Sequence, residues 1–173
     1  MSDIAKLINK KDKILSLIKM KGPSLPVQIA RGADTSPLFA GAFLSELFAE
    51  KKIKMSNMKV GSSPLYYIEG QEIMLERFVE HLNSREKDAF YLLQKEKLLE
   101  DSAQTPVIRV ALRSIKDFAV PLRARIDDDT KIFWKYFTLT QSDFENVLSY
   151  KIRVIKGEKA VEKPIEKLKE IQK

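Results

Sequence analysis

Five cations within 17 residues are the part of this chain best suited to hold a ligand. Arg109, Arg113 and Lys116 are spaced i, i+4 and i+7, which predicts that they share one side of a helix, away from an apolar stripe. Arg123 and Arg125 alternate with Leu122, Ala124 and Ile126, so on a strand both arginines point to one side. Such a set can track nucleic-acid phosphates. The competing account is an ordinary polar face paired with Asp117, Glu100 or the aspartates of the following turn. A second basic group, Lys51, Lys52, Lys54 and Lys59, surrounds Gly61-Ser62-Ser63. The glycine frees the backbone there, and serine hydroxyls and main-chain N–H groups can approach phosphate oxygens. The alternative is a solvated turn whose lysines protect a strand edge.

Other chemistry finds little support. Asp127-Asp128-Asp129 would be repelled by a DNA backbone and lacks the spaced ligands and closing glutamate of a calcium loop. Cysteine is absent, which excludes disulfides and thiolate metal sites, and the single histidine, His81, has no partner ligand nearby. The chain carries no nucleophile–base pair, phosphate-binding Gly-Lys loop or dinucleotide fingerprint. We therefore expect no enzyme activity, no cofactor and no metal.

The elements that must position these cations fall into two similar sets. Residues 1–82 read as three short helices followed by a hairpin and a trailing helix. Ile4, Leu7, Ile8, Ile14, Leu15 and Ile18 form the stripe of the first helix, and Gly22-Pro23 ends it. Ser24 and Pro26 open the second helix; Ser36 and Pro37 open the third. The third helix turns Ala40, Phe43, Leu44 and Leu47 inward. Its exposed N-terminal half offers Thr35, Ser36, Leu38, Phe39, Gly41 and Ala42, with none of the Arg, Lys, Asn or Gln residues that read base edges. Strands at Ile53–Ser56 and Leu65–Ile68 flank the Gly-Ser-Ser loop, and a helix follows over Gln71–Leu82.

Residues 83–140 repeat the order. Ser84 caps a helix carrying Ala89, Phe90, Leu92 and Leu93; Glu100–Gln104 is a short connector. Thr105-Pro106 opens a helix to about Phe118, and strands Val120–Ile126 and Lys131–Leu139 follow. The last strand has aromatic residues on both sides. One side is core, and the other holds either Trp134 and Tyr136 or Phe133 and Phe137, residues of a kind that anchor protein contacts. Residues 141–155 form a C-terminal helix, and 156–173, rich in Lys and Glu, have the composition of a charged linker. The net charge of +7 is spread along the chain, which permits a polyanionic partner without demanding one. With no signal-peptide core and no run of roughly 18 apolar residues, the expected location is cytoplasmic and away from membranes.

Gly22-Pro-Ser-Leu-Pro-Val-Gln-Ile-Ala, Phe43-Leu-Ser-Glu-Leu, Lys52-Ile-Lys-Met and Gly61-Ser-Ser-Pro-Leu-Tyr-Tyr together resemble archaeal winged helix-turn-helix proteins of the broad transcription-regulator class. The resemblance covers residues 8–70 well. It implies a mainly α fold with small β-hairpins, here as tandem winged helices, and a transcription- or nucleoid-related role. The leading expectation is low-specificity binding to the backbone of DNA, with RNA as a further candidate. Ser36, Lys51, Lys52, Lys54, Lys59, Ser62, Ser63, Arg109, Arg113, Lys116, Arg123 and Arg125 are the contact residues. The alternative is a protein-interaction scaffold, partnering another protein or a second copy, with Phe39, Trp134 and Tyr136 as anchors.

Overall fold

A computed structural model describes residues 2–158. The chain is α+β and divides between Leu82 and Asn83 into two compact units. Residues 159–173, with most of the expected linker, lie outside the described residues.

The first unit begins with α1 (Asp3–Lys21), whose Ser2 cap accepts from the Ala5 amide. The helix stops at Gly22, where φ is +84°, a left-handed backbone that favours glycine; a Cβ there would also have to displace the flexible end of the Met74 side chain. Its apolar stripe is shorter in effect than expected. Ile14 and Ile18 are buried, whereas Ile4, Leu7 and Ile8 are exposed. The first turns of α1 thus carry their apolar residues past the core formed by Ile14, Ile18, Ile29, Ala33, Phe43, Leu44, Leu47 and Ile53. That core joins α1 to α2 (Pro26–Gly32) and α3 (Pro37–Ala49).

Strands β1 (Lys54–Val60) and β2 (Ser63–Tyr67) form an antiparallel hairpin. The pairing shifts between Met55 and Lys59, leaving Ser56, Asn57 and Met58 opposite Leu65. Buried Ser56 closes this bulge: its hydroxyl donates to Met58 O at 2.7 Å and accepts from the Leu65 amide at 2.8 Å. Ser24 and Tyr66 exchange two backbone bonds of 2.9 Å, tying the α1–α2 connection to β2. This backbone role replaces the capping role expected of Ser24. The segment expected as a helix over Gln71–Leu82 is 3-10 helical over Glu72–His81. Buried Gln71 precedes it, donating to Ile18 O at 3.0 Å and accepting from the Ile68 amide at 3.1 Å, so one side chain satisfies two elements.

The second unit opens with α4 (Ser84–Glu96), whose cap is Asn83 and not Ser84. Asn83 Oδ1 accepts from the Glu86 amide and the Glu86 carboxylate accepts from the Asn83 amide, a reciprocal pair that Ser84 is one residue too late to make. A short strand β3 (Leu98–Glu100) and a 3-10 turn (Asp101–Ala103) occupy the connector. Helix α5 (Pro106–Ser114) ends a turn earlier than expected, because Ile115 leaves helical geometry and Phe118 is drawn into the core. Strands β4 (Ala119–Ile126) and β5 (Asp129–Tyr136) complete a sheet of order β3-β5-β4, and β3 is a strand that residue periodicity did not reveal. Helix α6 (Gln141–Ile155) covers one side of this sheet, with Val147 buried against Leu98, Ile126 and Phe133. Edge-to-face contacts link Phe90 to Phe118 and Tyr136 at 4.9 and 6.1 Å between ring centres. Among the described residues, no helix is long and apolar enough to cross a membrane.

Because Ser56 leaves the Leu65 amide without its acceptor when truncated, we predict that Ser56→Ala destabilises the first unit by about 1–3 kcal/mol. Denaturant unfolding followed by far-UV circular dichroism checks this. An unchanged midpoint would show that the bulge does not depend on the hydroxyl.

Candidate functional site

Asp101 is the first residue after β3, and its side chain is almost wholly buried, with 3% of the residue exposed. Three donors compensate the carboxylate. Arg113 reaches Oδ1 at 2.7 Å and Oδ2 at 3.1 Å, Arg109 Nε reaches Oδ2 at 2.9 Å, and Trp134 Nε1 reaches Oδ1 at 2.9 Å. The i, i+4 spacing brings the two arginines one above the other on α5, so both reach the same acceptor. Arg113 also donates to Arg109 O at 2.7 Å and lies over the Trp134 ring, 5.4 Å from its centre. The Arg113 hydrogen bonds hold the Asp101 carboxyl at a pKa of about 2. Burial opposes them, while Trp134 and Arg109 add to the stabilisation of the charged form. The residue clamping Arg109 and Arg113 is thus Asp101, from the connector, rather than Asp117, Glu100 or the hairpin aspartates.

The sheet register places the next two arginines. Pro121 lies opposite Trp134, Arg123 opposite Ile132 and Arg125 opposite Thr130. Directly opposed residues share a side of a sheet, so Arg123 and Arg125 are on the Trp134 side, which Asp101 and the α5 arginines also occupy. Leu122, Ala124 and Ile126 turn to the other side, where α6 packs. Arg123 and Arg125 are exposed, and Arg125 Nε donates to Asp127 O at 3.4 Å across the turn. Lys116 is exposed but follows the end of α5, so the helical spacing that joined it to Arg109 and Arg113 does not apply. The acidic tip begins with Asp127 in a left-handed conformation, and its carboxylate accepts from Lys156 at 3.1 Å.

In the first unit the basic group is only partly uncommitted. Lys54 pairs with Glu72 at 2.7 Å and Lys52 with Glu50 at 2.9 Å. Lys51 and Lys59 are exposed and have no ion-pair partner among the described residues. Ser62 lies exposed at the turn beside Gly61, whose φ is +64°, whereas Ser63 belongs to β2, opposite Val60, and is half-buried. Ser36 spends its hydroxyl on the cap of α3, accepting from the Phe39 amide at 3.3 Å.

The three aromatic anchors separate. Phe39 is exposed at 59%, beside Leu38 at 81%. Trp134 and Tyr136 are buried, the first beneath Arg113 and the second against Phe90, so neither presents a surface to a protein partner. Trp134 is covered by Asp101 and Arg113, and Phe133 on the opposite face is buried beneath α6. Sequence reasoning missed Asp101; the one available signal was a carboxylate set between Leu99 and the arginine pair. Among the described residues, no cluster of three His, Asp or Glu side chains is placed to hold a metal ion.

The folded carboxyl of Asp101 titrates near 2, below its ordinary value of about 4, so its stabilising effect is complete above that ordinary value and is lost as the pH falls toward 2. Asp101→Asn should lower the stability of the second unit by about 2–4 kcal/mol at neutral pH and remove that part of the acid loss. Trp134, the single tryptophan, reports both through its fluorescence during urea unfolding at stepped pH. Parallel pH profiles for the two proteins would contradict the assignment.

No protein-family model, curated protein or solved structure matches the chain, so its functional reading rests on its own residues.

Proposed function

We propose that this chain is a tandem winged-helix protein of the broad archaeal transcription-regulator class, cytoplasmic, that binds nucleic acid with low sequence specificity. Duplex DNA is the first candidate ligand. One observation carries the reading: Arg109, Arg113, Arg123 and Arg125 lie on one side of the second unit's sheet, and buried Asp101 orients two of them. A guanidinium whose stem and fork are already held loses little freedom on meeting a phosphate. Asp101 cancels one of the four charges and the rest remain for the backbone, whose counterions are released on binding. The acidic turn at Asp127–Asp129 keeps the hairpin tip away from phosphates, so contact runs along the flank of β4. In the first unit, Lys51, Lys59 and the Ser62 turn are the groups left to contribute.

Low specificity follows from the third helix of the first unit. The exposed residues of α3 include Leu38, Phe39 and Ala42, and the helix has no Arg, Lys, Asn or Gln to make the paired hydrogen bonds that distinguish bases in the major groove. On α5 the exposed large apolar residues are Val107 and Val110, and the two arginines already commit part of their forks to Asp101.

A second reading, a protein-interaction scaffold, is favoured by α3 itself. This helix buries Ala40, Phe43, Leu44 and Leu47 on one side while exposing Leu38, Phe39 and Phe48 on others. Three large apolar side chains exposed on one short helix suit a partner surface.

The full chain should retard a short mixed-sequence duplex at low ionic strength, with affinity falling steeply as salt rises. Arg123→Ala with Arg125→Ala should weaken binding about tenfold and reduce the salt slope by about 2. Lys59→Ala should do less, and Leu38→Asp should leave duplex binding intact. Absence of duplex binding at low salt would overturn the nucleic-acid reading and leave the scaffold.

A further inference from the structure

The first unit carries a concave pocket of about 380 Å³, within the size range of small-molecule sites. Its lining is chemically one-sided. Lys21, the last residue of α1, and Arg31, in the last turn of α2, bring two cations to the walls, and no carboxylate lines the cavity. Neither cation has an ion-pair partner among the described residues, although Lys11 and Lys54 of the same unit are both paired. Gln28 adds a third donor: its carbonyl oxygen accepts from the Leu25 amide at 2.9 Å, so its amide nitrogen is the end left to bond a guest. Buried Ser24 gives its hydroxyl proton to Gly22 O at 2.8 Å. Half-buried Phe78 supplies an aromatic wall.

Both cations also sit at helix C-termini, whose partial negative charge they complement. That interaction explains a basic residue in each last turn but not their meeting at one cavity with an amide donor and a ring. Two full positive charges outweigh the half-charges of two helix ends, and the surplus favours an anion.

We propose that this pocket binds a small anion carried on a planar ring. The class includes nucleoside monophosphates and aromatic carboxylates. Lys21 and Arg31 meet the charged group, the Gln28 amide donates to it, and the ring lies against Phe78 and the apolar wall. The proposal is independent of any nucleic-acid contact made by the second unit.

The test is a titration of the uniformly 15N-labelled full chain, followed by amide NMR, with AMP, benzoate, adenosine and inorganic phosphate in turn. Saturable shifts at Lys21, Arg31, Gly32 and Phe78 with AMP or benzoate are expected, with adenosine and phosphate at least about tenfold weaker. The tighter of AMP and benzoate identifies the source of the anionic group. Lys21→Met with Arg31→Met, two exposed positions outside the core, should weaken the ringed anions about tenfold, and Phe78→Leu should weaken them while sparing phosphate. No saturable shift with either ringed anion, or equal affinity in the double variant, would overturn the proposal. Phosphate binding as tightly as AMP would overturn it too, by removing the need for a ring.

Discussion

A carboxylate taken out of water must be answered by donors, and in the second unit most of the local architecture is arranged around that demand. Asp101 sits at the junction of β3 and α5, and its oxygens are met by Arg109 and Arg113 from the helix and by the indole N–H of Trp134 from the sheet. The connector, the helix and the sheet are thereby held in one geometry. Such an arrangement stabilises only while it is complete, since removing one partner strands a buried charge. The arginines are consequently fixed at their forks, although the rest of each side chain faces solvent. Structural duty and availability to a ligand coincide here, because a guanidinium has five donors and the carboxylate occupies only some of them.

The first unit is held by smaller devices, most of them aimed at backbone groups. Ser56 serves the bulge, Gln71 serves the end of α1 and the start of the 3-10 segment, and Ser24 exchanges two bonds with Tyr66. Each places a polar side chain or amide in the interior only where it satisfies a main-chain partner that packing would otherwise leave unpaired. These bonds set the hairpin against the helices and so determine which of its lysines face outward. The surface that results is divided between Lys51 and Lys59 near the hairpin and the apolar outer side of α3. The two are chemically opposed, and they underlie the two functional readings.

Much of the fold was legible in the chain. Helix starts at Ser36-Pro37 and Thr105-Pro106, the stop at Gly22 and the hairpin turn at Gly61 follow from local stereochemistry that few residues satisfy. The core residues of α3 follow from period alone. Less legible were short elements with little room for a pattern: three-residue β3, the 3-10 segment after Gln71 and the early end of α5. For β3 and the end of α5, a tertiary partner decided the conformation. Phe118 leaves the helix for the aromatic cluster around Phe90, and Leu99 pairs with Trp134 to make a strand where periodicity showed only an apolar run.

The candidate site divides in the same way. By itself the sequence determined that Arg109 and Arg113 share a helix side and that Arg123 and Arg125 share a strand side, because those relations depend on spacing within one element. Only the tertiary structure decided that both pairs lie on one side of the sheet, that Asp101 holds the first pair, and that Trp134 is covered rather than offered to a partner. Those facts depend on the register between β4 and β5 and on a buried carboxylate choosing its donors, and neither is a property of any single segment.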